Sequence, residues 1–468
     1  MKKANKVHFV GIGGIGVSAL AKYYLTKGWR VSGSDLVSSE ITESLKKLGA
    51  KIFIGKRNPC YLNFKFACPD LVIYSPAIQQ DNPKLKEARK LGIKCQSYPE
   101  ALGKLTKEYF TIAVTGTHGK STTTSMLGLL LTKAGLDPTV IVGTKLKEFG
   151  DSTHSTSSGL TLNYIEGSNC RVGKSKYLVI EADEHFASFL NYWPKIIVLT
   201  RLEADHLDYF KNFRNYLSAF KKFISHLPEN GVLVANKDDK NIRELTGSGK
   251  QKIYRFTKSI DYSVKRPEAK RLKKVLKVPG EHNVSNALAA LKVARILKVP
   301  DKISFRALSE YKGSWRRFEE KTIKLNAKSY KLINDYGHHP TEIRATLQAA
   351  REKYLKKQIW CIYQPHQYQR TYYLFNDFVK VFKQAPIDKI IITDIYDVAG
   401  RENKEIKKKV NSEKLVKTIN KSSVIYLPKA KILNYLKKNL RGGPPGGEAK
   451  EVVIIMGAGD IYELSKQF

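Results

Sequence analysis

The chain has 468 residues, 42% of them hydrophobic, and 82 Lys+Arg against 43 Asp+Glu give a formal net charge of +39. Such a length predicts about two to four domains with buried cores and excludes a disordered chain, and no apolar run approaches the ~20 residues of a membrane span. The lysines are spread along the whole sequence with no RNA- or DNA-binding motif beside them, so the excess reads as solvated faces whose field favours small anionic substrates, not as a nucleic-acid interface.

The N-terminal stretch MKKANKVHFVGIGG reads as a first strand and not as a signal peptide. The five cysteines, Cys60, Cys68, Cys95, Cys170 and Cys361, show no ligand spacing, which fits reduced thiols in a cytoplasmic protein. FVGIGGIGVSAL (9–20) places Gly11, Gly13 and Gly16 in a G-x-G-x-x-G pattern between strand and helix. Those glycines let the backbone approach a pyrophosphate, with the helix N-terminus stabilising its charge. Asp35 ends the next strand, where an acid often meets a ribose. A nicotinamide dinucleotide and a nucleotide sugar satisfy this pattern equally.

A strand over 70–76 is followed by a stronger signal, FTIAVTG (110–116) running into TGTHGKSTTT (115–124). This is the phosphate-loop pattern G-x-x-x-x-G-K-[ST] with Gly119, Lys120 and Ser121 in place and Val114 at the first glycine position. A helix with apolar Met126, Leu127, Leu130 and Leu131 follows, closed by Gly135. The loop therefore joins a strand to a helix N-terminus. Gly116 and Gly119 free backbone amides for phosphate, Lys120 reaches the β- and γ-phosphates, and Ser121 suits Mg²⁺.

Such a loop needs a metal-binding acid. Glu181, Asp183 and Glu184 follow the strand at 177–180, and Glu203, Asp205, His206 and Asp208 follow the strand at 195–200. Hard oxygens with one imidazole suit Mg²⁺ held by phosphates; most of these acids serve equally as helix caps, and Glu181 and His206 are the chosen ligands. Further on, PGEHNVSNALAALKVARIL (279–297) is a glycine turn and a core helix, with His282, Asn283 and Asn286 at its mouth either reading a purine edge or capping the helix.

The last segment has strands over 331–337, 358–364, 389–397 and 452–459, and a glycine- and proline-rich stretch, RGGPPGGEAK (441–450), expected to be a flexible loop. NDYGHHPTEIRATLQAAR (334–351) and YQPHQYQRTYYLFNDF (363–378) each follow a strand and precede a helix, with Pro340 suited to a first helical turn. The histidines lack zinc spacing, so substrate orientation or acid–base work is the better reading. Apolar strands alternating with helices throughout predict parallel sheets covered on both faces, with ligands at the carboxyl ends of the strands.

Taken in order from residue 11 to 462, GIGGIGVSAL, TGTHGKSTTT, EADE, EADHLDYF, HNVSNALAA, RRFE, DYGHHPTEI, QPHQYQRT and GAGDIY resemble the Mur ligases of peptidoglycan synthesis. The resemblance implies an α/β chain of three domains: a Rossmann-like UDP-sugar-binding domain at 1–107, a central P-loop-type ATP-binding domain with a mainly parallel sheet at 108–319, and a Rossmann-like C-terminal domain at 320–468. DYGHHPTE points to the member that joins L-alanine to UDP-N-acetylmuramate, using ATP and Mg²⁺ through an acyl phosphate and a tetrahedral intermediate. UDP-sugar binding is implied for Gly11, Gly13, Gly14, Ile15, Gly16, Asp35 and Ser75. ATP binding is implied for Gly116, Thr117, His118, Gly119, Lys120, Ser121, Thr122, Asn286 (adenine), Arg317 (phosphates) and Asp335 (ribose). Ser121, Glu181 and His206 would hold metal, and Lys120, His206, His338 and Arg370 would carry catalysis, the last two beside alanine and the acyl intermediate. The chain departs from the family pattern at Gln367, where arginine is common beside the alanine carboxylate, at Arg201-Leu202 in place of Asn-Ile, and at His185-Phe186 in place of a polar pair. Gln367 leaves the choice among alanine, glycine and serine open. The alternatives are a ligase that attaches a whole tripeptide to the same sugar and, from another class, a nicotinamide-dependent dehydrogenase.

Overall fold

The structure is a computed structural model that describes residues 5–55, 68–149, 167–247, 258–325, 328–398, 404–444 and 447–467. The chain forms two compact units, Met1–Val275 with Ser285–Tyr311, and Leu276–Val284 with Lys312–Phe468. Three sheets organise it, two in the first unit and one in the second.

The first sheet is fully parallel, in the order β3-β2-β1-β4-β5, with β1 at Lys6–Val10, β2 at Arg30–Asp35, β3 at Lys51–Ile54, β4 at Leu71–Tyr74 and β5 at Lys94–Ser97. Strand β1 is buried almost throughout because helices cover both faces, as a parallel sheet requires. This is the Rossmann order, reversing between β1 and β4, and the crevice at the ends of those two strands is where the glycine loop begins.

The second sheet runs β12-β11-β10-β6-β9-β7-β8. Its strands are β6 (Phe110–Thr115), β7 (Thr139–Leu146), β8 (Ser168–Arg171), β9 (Tyr177–Glu181), β10 (Ile196–Leu199), β11 (Val232–Asn236) and β12 (Lys258–Tyr262). All pairs are parallel except β7 with β8. The third sheet runs β13-β14-β18-β15-β16-β17, with β13 at Glu319–Leu325, β14 at Lys328–Asp335, β15 at Gln358–Tyr363, β16 at Lys389–Ile392, β17 at Val424–Tyr426 and β18 at Glu451–Met456. It too is parallel, apart from the antiparallel edge strand β13.

Each strand expected from the sequence is present. Cys68, Cys95, Cys170 and Cys361 are free thiols, and Cys60 lies outside the described residues. Residues 445–446 of the glycine–proline stretch also lie outside, but its described start is tied down: Glu451 accepts the Arg441 and Gly442 amides, and Gly443 bridges to Ser329. Among the described residues no helix is long and apolar enough to cross a membrane.

Candidate active site

Strand order explains why the phosphate loop meets its acids. β6 lies between β9 and β10, so the ends of those two strands flank whatever follows Thr115. Val114, at the missing glycine position, is a fully buried strand residue paired with Glu181 and Val198; no turn is needed there. The turn comes two residues later, at Gly116 with φ 133°, and a Cβ there would collide with Thr200 Oγ1. Gly119 has φ 86° and is the N-cap of the helix Lys120–Lys133; its Cβ would lie 2.5 Å from Asn286 Oδ1. Asn286 therefore sits against the phosphate loop, and Thr122 is in the first turn of the helix that follows.

The side chains of the loop are densely bonded. Ser121 Oγ donates to Glu181 Oε1 at 3.0 Å, and the other oxygen of Glu181 accepts the Gly143 amide at 2.7 Å. Hydroxyl and carboxylate side by side at a phosphate loop fit Mg²⁺, a cation that takes oxygen donors. His206 is placed with Asp183 and Glu184, the three offering ligand atoms within 4.8 Å of one another. It has φ 52° and stacks on His185 with ring centroids 4.2 Å apart. Lys120 Nζ lies 2.9 Å from Glu184 Oε2. Burial opposes the Lys120 charge, but Glu184, Asp183 and Glu181 outweigh it and hold its pKa above the ordinary lysine value. His118 Nε2 is 3.2 Å from Glu203 Oε2, and Thr117 Oγ1 is 2.7 Å from Tyr216 Oη. Nothing in the sequence singled out Tyr216, an apolar-face residue of the helix Phe213–Ile224.

At the first sheet, Gly14 is the N-cap of the helix Ile15–Thr26, whose first turn holds Ile15 and Gly16. Gly16 lets the helix approach Tyr98: a Cβ there would be 2.9 Å from its ring. Gly11 has φ 78° and faces Ser75 at the end of β4. Asp35 does not point away from the loop: Oδ2 accepts the Gly13 amide at 2.8 Å and Oδ1 the Leu36 amide at 2.7 Å. The acid thus closes the glycine loop, and the Gly13 amide is taken by it. A second support was not legible in the sequence. Asn169 on β8 donates to Ile15 O and Ser18 Oγ, and accepts from Lys22 Nζ at 2.8 Å. Lys22 also donates to Ser168 Oγ at 3.3 Å and is only 8% exposed.

In the third sheet, β18 lies between β14 and β15, so the loops after all three strands converge. Asp335 ends β14 nearly buried; its oxygens accept the Phe318 amide at 2.9 Å, the Gly337 amide at 2.8 Å and the Thr346 hydroxyl at 3.2 Å. Both oxygens of this expected ribose ligand are engaged within the unit, and burial raises its pKa, with Arg317 and the two amides opposing. Arg317 Nη1 lies 3.6 Å from Glu342 Oε1, and His338 Nδ1 lies 3.3 Å from Glu342 Oε2. Pro340 opens the helix Pro340–Lys353, with His339 as its N-cap. The His338 and His366 rings are 6.0 Å apart, and Arg370 Nη1 is 3.3 Å from His366 Nδ1 and 3.2 Å from Gln367 Oε1. Arg316, a further residue of the RRFE motif, is 7% exposed with φ 57°. Its guanidinium lies over the rings of Trp315, Tyr336 and Tyr462 and donates to the carbonyls of Gly457 and Gly459.

Comparison with known proteins places the chain in a family. Family models match consecutive segments: "Mur ligase family, catalytic domain" at residues 6–110, "Mur ligase middle domain" at 114–294 and "Mur ligase, glutamate ligase domain" at 316–459. A UDP-N-acetylmuramate–L-alanine ligase of Acetivibrio thermocellus is 40% identical, the alignment covering 100% of this chain and 96% of the relative. The protein of that name from Alkaliphilus metalliredigens is 38% identical over 98% and 96%. Among solved structures, UDP-N-acetylmuramate-alanine ligase of Thermotoga maritima superposes with a TM-score of 0.73 at 28% identity, covering 99% of this chain and 98% of that one. The fold is shared with a murein peptide ligase of Psychrobacter arcticus at a TM-score of 0.68 and 22% identity, over 99% and 98%. With its phosphate loop flanked by acids and its whole length aligned to these relatives, the chain belongs to the Mur ligase family.

Proposed function

We propose that this protein is an ATP-dependent ligase that joins L-alanine to the lactyl carboxylate of UDP-N-acetylmuramate, in the cytoplasmic synthesis of peptidoglycan precursors. The observation that carries the reading is a phosphate loop whose Lys120 and Ser121 are met by Glu184 and Glu181, in a chain aligned end to end with relatives of that name. A carboxylate repels amines and offers a poor leaving group. Phosphorylation by ATP gives an acyl phosphate that the alanine amine attacks, releasing phosphate through a tetrahedral intermediate. The work is positioning and charge stabilisation, and needs no covalent nucleophile on the protein.

The three domains are assigned to 1–107, 108–319 and 320–468. The loop from Gly116 to Thr122 takes the phosphates, with Lys120 as the charge and Asn286 supporting the loop at Gly119. Arg317 is assigned to phosphate and Asp335 to ordering the ribose end, through the Phe318 and Gly337 amides it holds. Ser121, Glu181 and His206 are the residues to hold Mg²⁺, which when bound neutralises phosphate charge. The loop Gly11–Gly16, shaped by Asp35 and faced by Ser75, takes the UDP-sugar pyrophosphate. His338, oriented by Glu342, and Arg370, beside His366 and Gln367, position alanine and the acyl intermediate.

The test is phosphate release with ATP, Mg²⁺ and UDP-N-acetylmuramate, offering alanine, glycine, serine and the tripeptide L-alanyl-γ-D-glutamyl-diaminopimelate separately. Release should depend on a single amino acid and be strongest with alanine. Release driven by the tripeptide alone would assign the recycling reaction instead, and Lys120→Ala should stop release while UDP-sugar binding survives.

A further inference from the structure

Lys120 is folded back onto its own loop. Its Nζ donates to Gly116 O at 2.7 Å, Thr117 O at 3.3 Å and Glu184 Oε1 at 3.1 Å. An ammonium has three hydrogens, so all three are engaged. A phosphate oxygen can be met only when one of these bonds is given up.

Glu184 is the nearest charged partner, its Oε2 2.9 Å from the ammonium against 4.0 Å for Asp183 Oδ1. It is fully buried, and Tyr216 Oη donates to the same Oε1 at 3.3 Å. Tyr216 is itself fully buried and bonded to Thr117 Oγ1, so the carboxylate is gripped from the loop and from the helix Phe213–Ile224. A buried carboxylate with one cation holds that cation strongly, because losing it leaves an uncompensated charge out of water.

We propose that Glu184 is the resting counter-ion of Lys120, a positioning residue held by Tyr216, and that it competes with nucleotide phosphate for the ammonium. The proposal rests on reading the loop as the nucleotide site. It makes Glu184 a brake on nucleotide affinity: it keeps the loop in shape between turnovers and favours release of ADP.

The experiment measures ADP binding by calorimetry on the full chain, without and with Mg²⁺, for wild type, Glu184→Gln, Lys120→Met and the double variant. Removing one charge-assisted bond of ~1.4 kcal/mol corresponds to about tenfold, so E184Q should bind Mg²⁺-free ADP about tenfold more tightly than wild type. That gain should vanish in the Lys120→Met background, since the competition runs through the ammonium. General damage to the fold weakens binding and cannot produce a gain. Glu184→Asp, which keeps the charge but shortens the reach, should fall between wild type and E184Q, and serves if E184Q does not fold. Equal tightening in both backgrounds would mean simple repulsion between carboxylate and phosphate, and would overturn the proposal. So would unchanged Mg²⁺-free binding with a loss confined to Mg²⁺-ADP, which would make Glu184 a metal ligand beside Asp183 and His206. A wild-type chain that binds no ADP would overturn the nucleotide-site reading itself.

Discussion

Lys22 offers a sharp physical test. It sits in the helix behind the glycine loop, 8% exposed, and its ammonium donates to two neutral acceptors, Asn169 Oδ1 and Ser168 Oγ. Burial, with Lys145 adding to it and Cys170 opposing, brings its pKa from 10.5 to about 8. A shift of that size corresponds to roughly 3 kcal/mol at 1.36 kcal/mol per unit. Between about pH 8 and 10.5 the unfolded chain holds a proton on Lys22 that the folded chain has released, so this residue's contribution to stability rises with pH. Below pH 8 both states are charged and the full cost of burying the ammonium is present. Urea unfolding of wild type and Lys22→Met, followed by circular dichroism from pH 7 to 10.5, isolates the effect. The stability of wild type relative to the variant should climb by about 3 kcal/mol across that window. Parallel curves would show that the ammonium is solvated or has an anion beside it, and that its burial carries no such cost.

Gly119→Ala would force φ 86° on a residue with a side chain, at ~1–2 kcal/mol, and place Cβ 2.5 Å from Asn286 Oδ1; calorimetry should show ADP binding at least about tenfold weaker. Glu268, bonded first to Arg295 and also to Lys292, has its pKa held down to about 2. Its contribution is therefore present above about pH 4.5 and lost as pH falls toward 2, so Glu268→Gln should be less stable at pH 7 and lose less stability than wild type on acidification, by about 1 kcal/mol once solvent screening of this partly exposed group is counted, read by acid titration of unfolding. Arg316→Lys keeps the charge but not the planar fork that reaches Gly457 and Gly459, and should cost about 1–3 kcal/mol, seen as a fall in melting temperature.

The strands and loop-to-helix junctions were legible because buried parallel strands read as continuous apolar runs and phosphate loops have a fixed spacing. Val114 shows the limit of spacing alone: a position that looks defective in the pattern is simply one residue of β6. The acids show another limit. Position marked Asp35 as a ligand contact, and the family resemblance marked Asp335, but a carboxylate at a strand end is as readily engaged by nearby amides, and both are. Tyr216 and the Lys22–Asn169 link were invisible because each joins positions about a hundred residues apart or more, brought together only by strand order.

The direction of β13 has a consequence for how the second unit is wired. The chain arrives at this sheet through Arg316 and Arg317, and β13 is the strand that runs against the others. Its beginning, not its end, therefore lies where the parallel strands finish. Had the seven residues of β13 been laid parallel to β14, Arg317 would enter at the opposite end of the strands, roughly 20 Å away at about 3.3 Å per residue. A single reversed edge strand thus lets a connecting segment deliver two arginines to the working end of the sheet without an added loop.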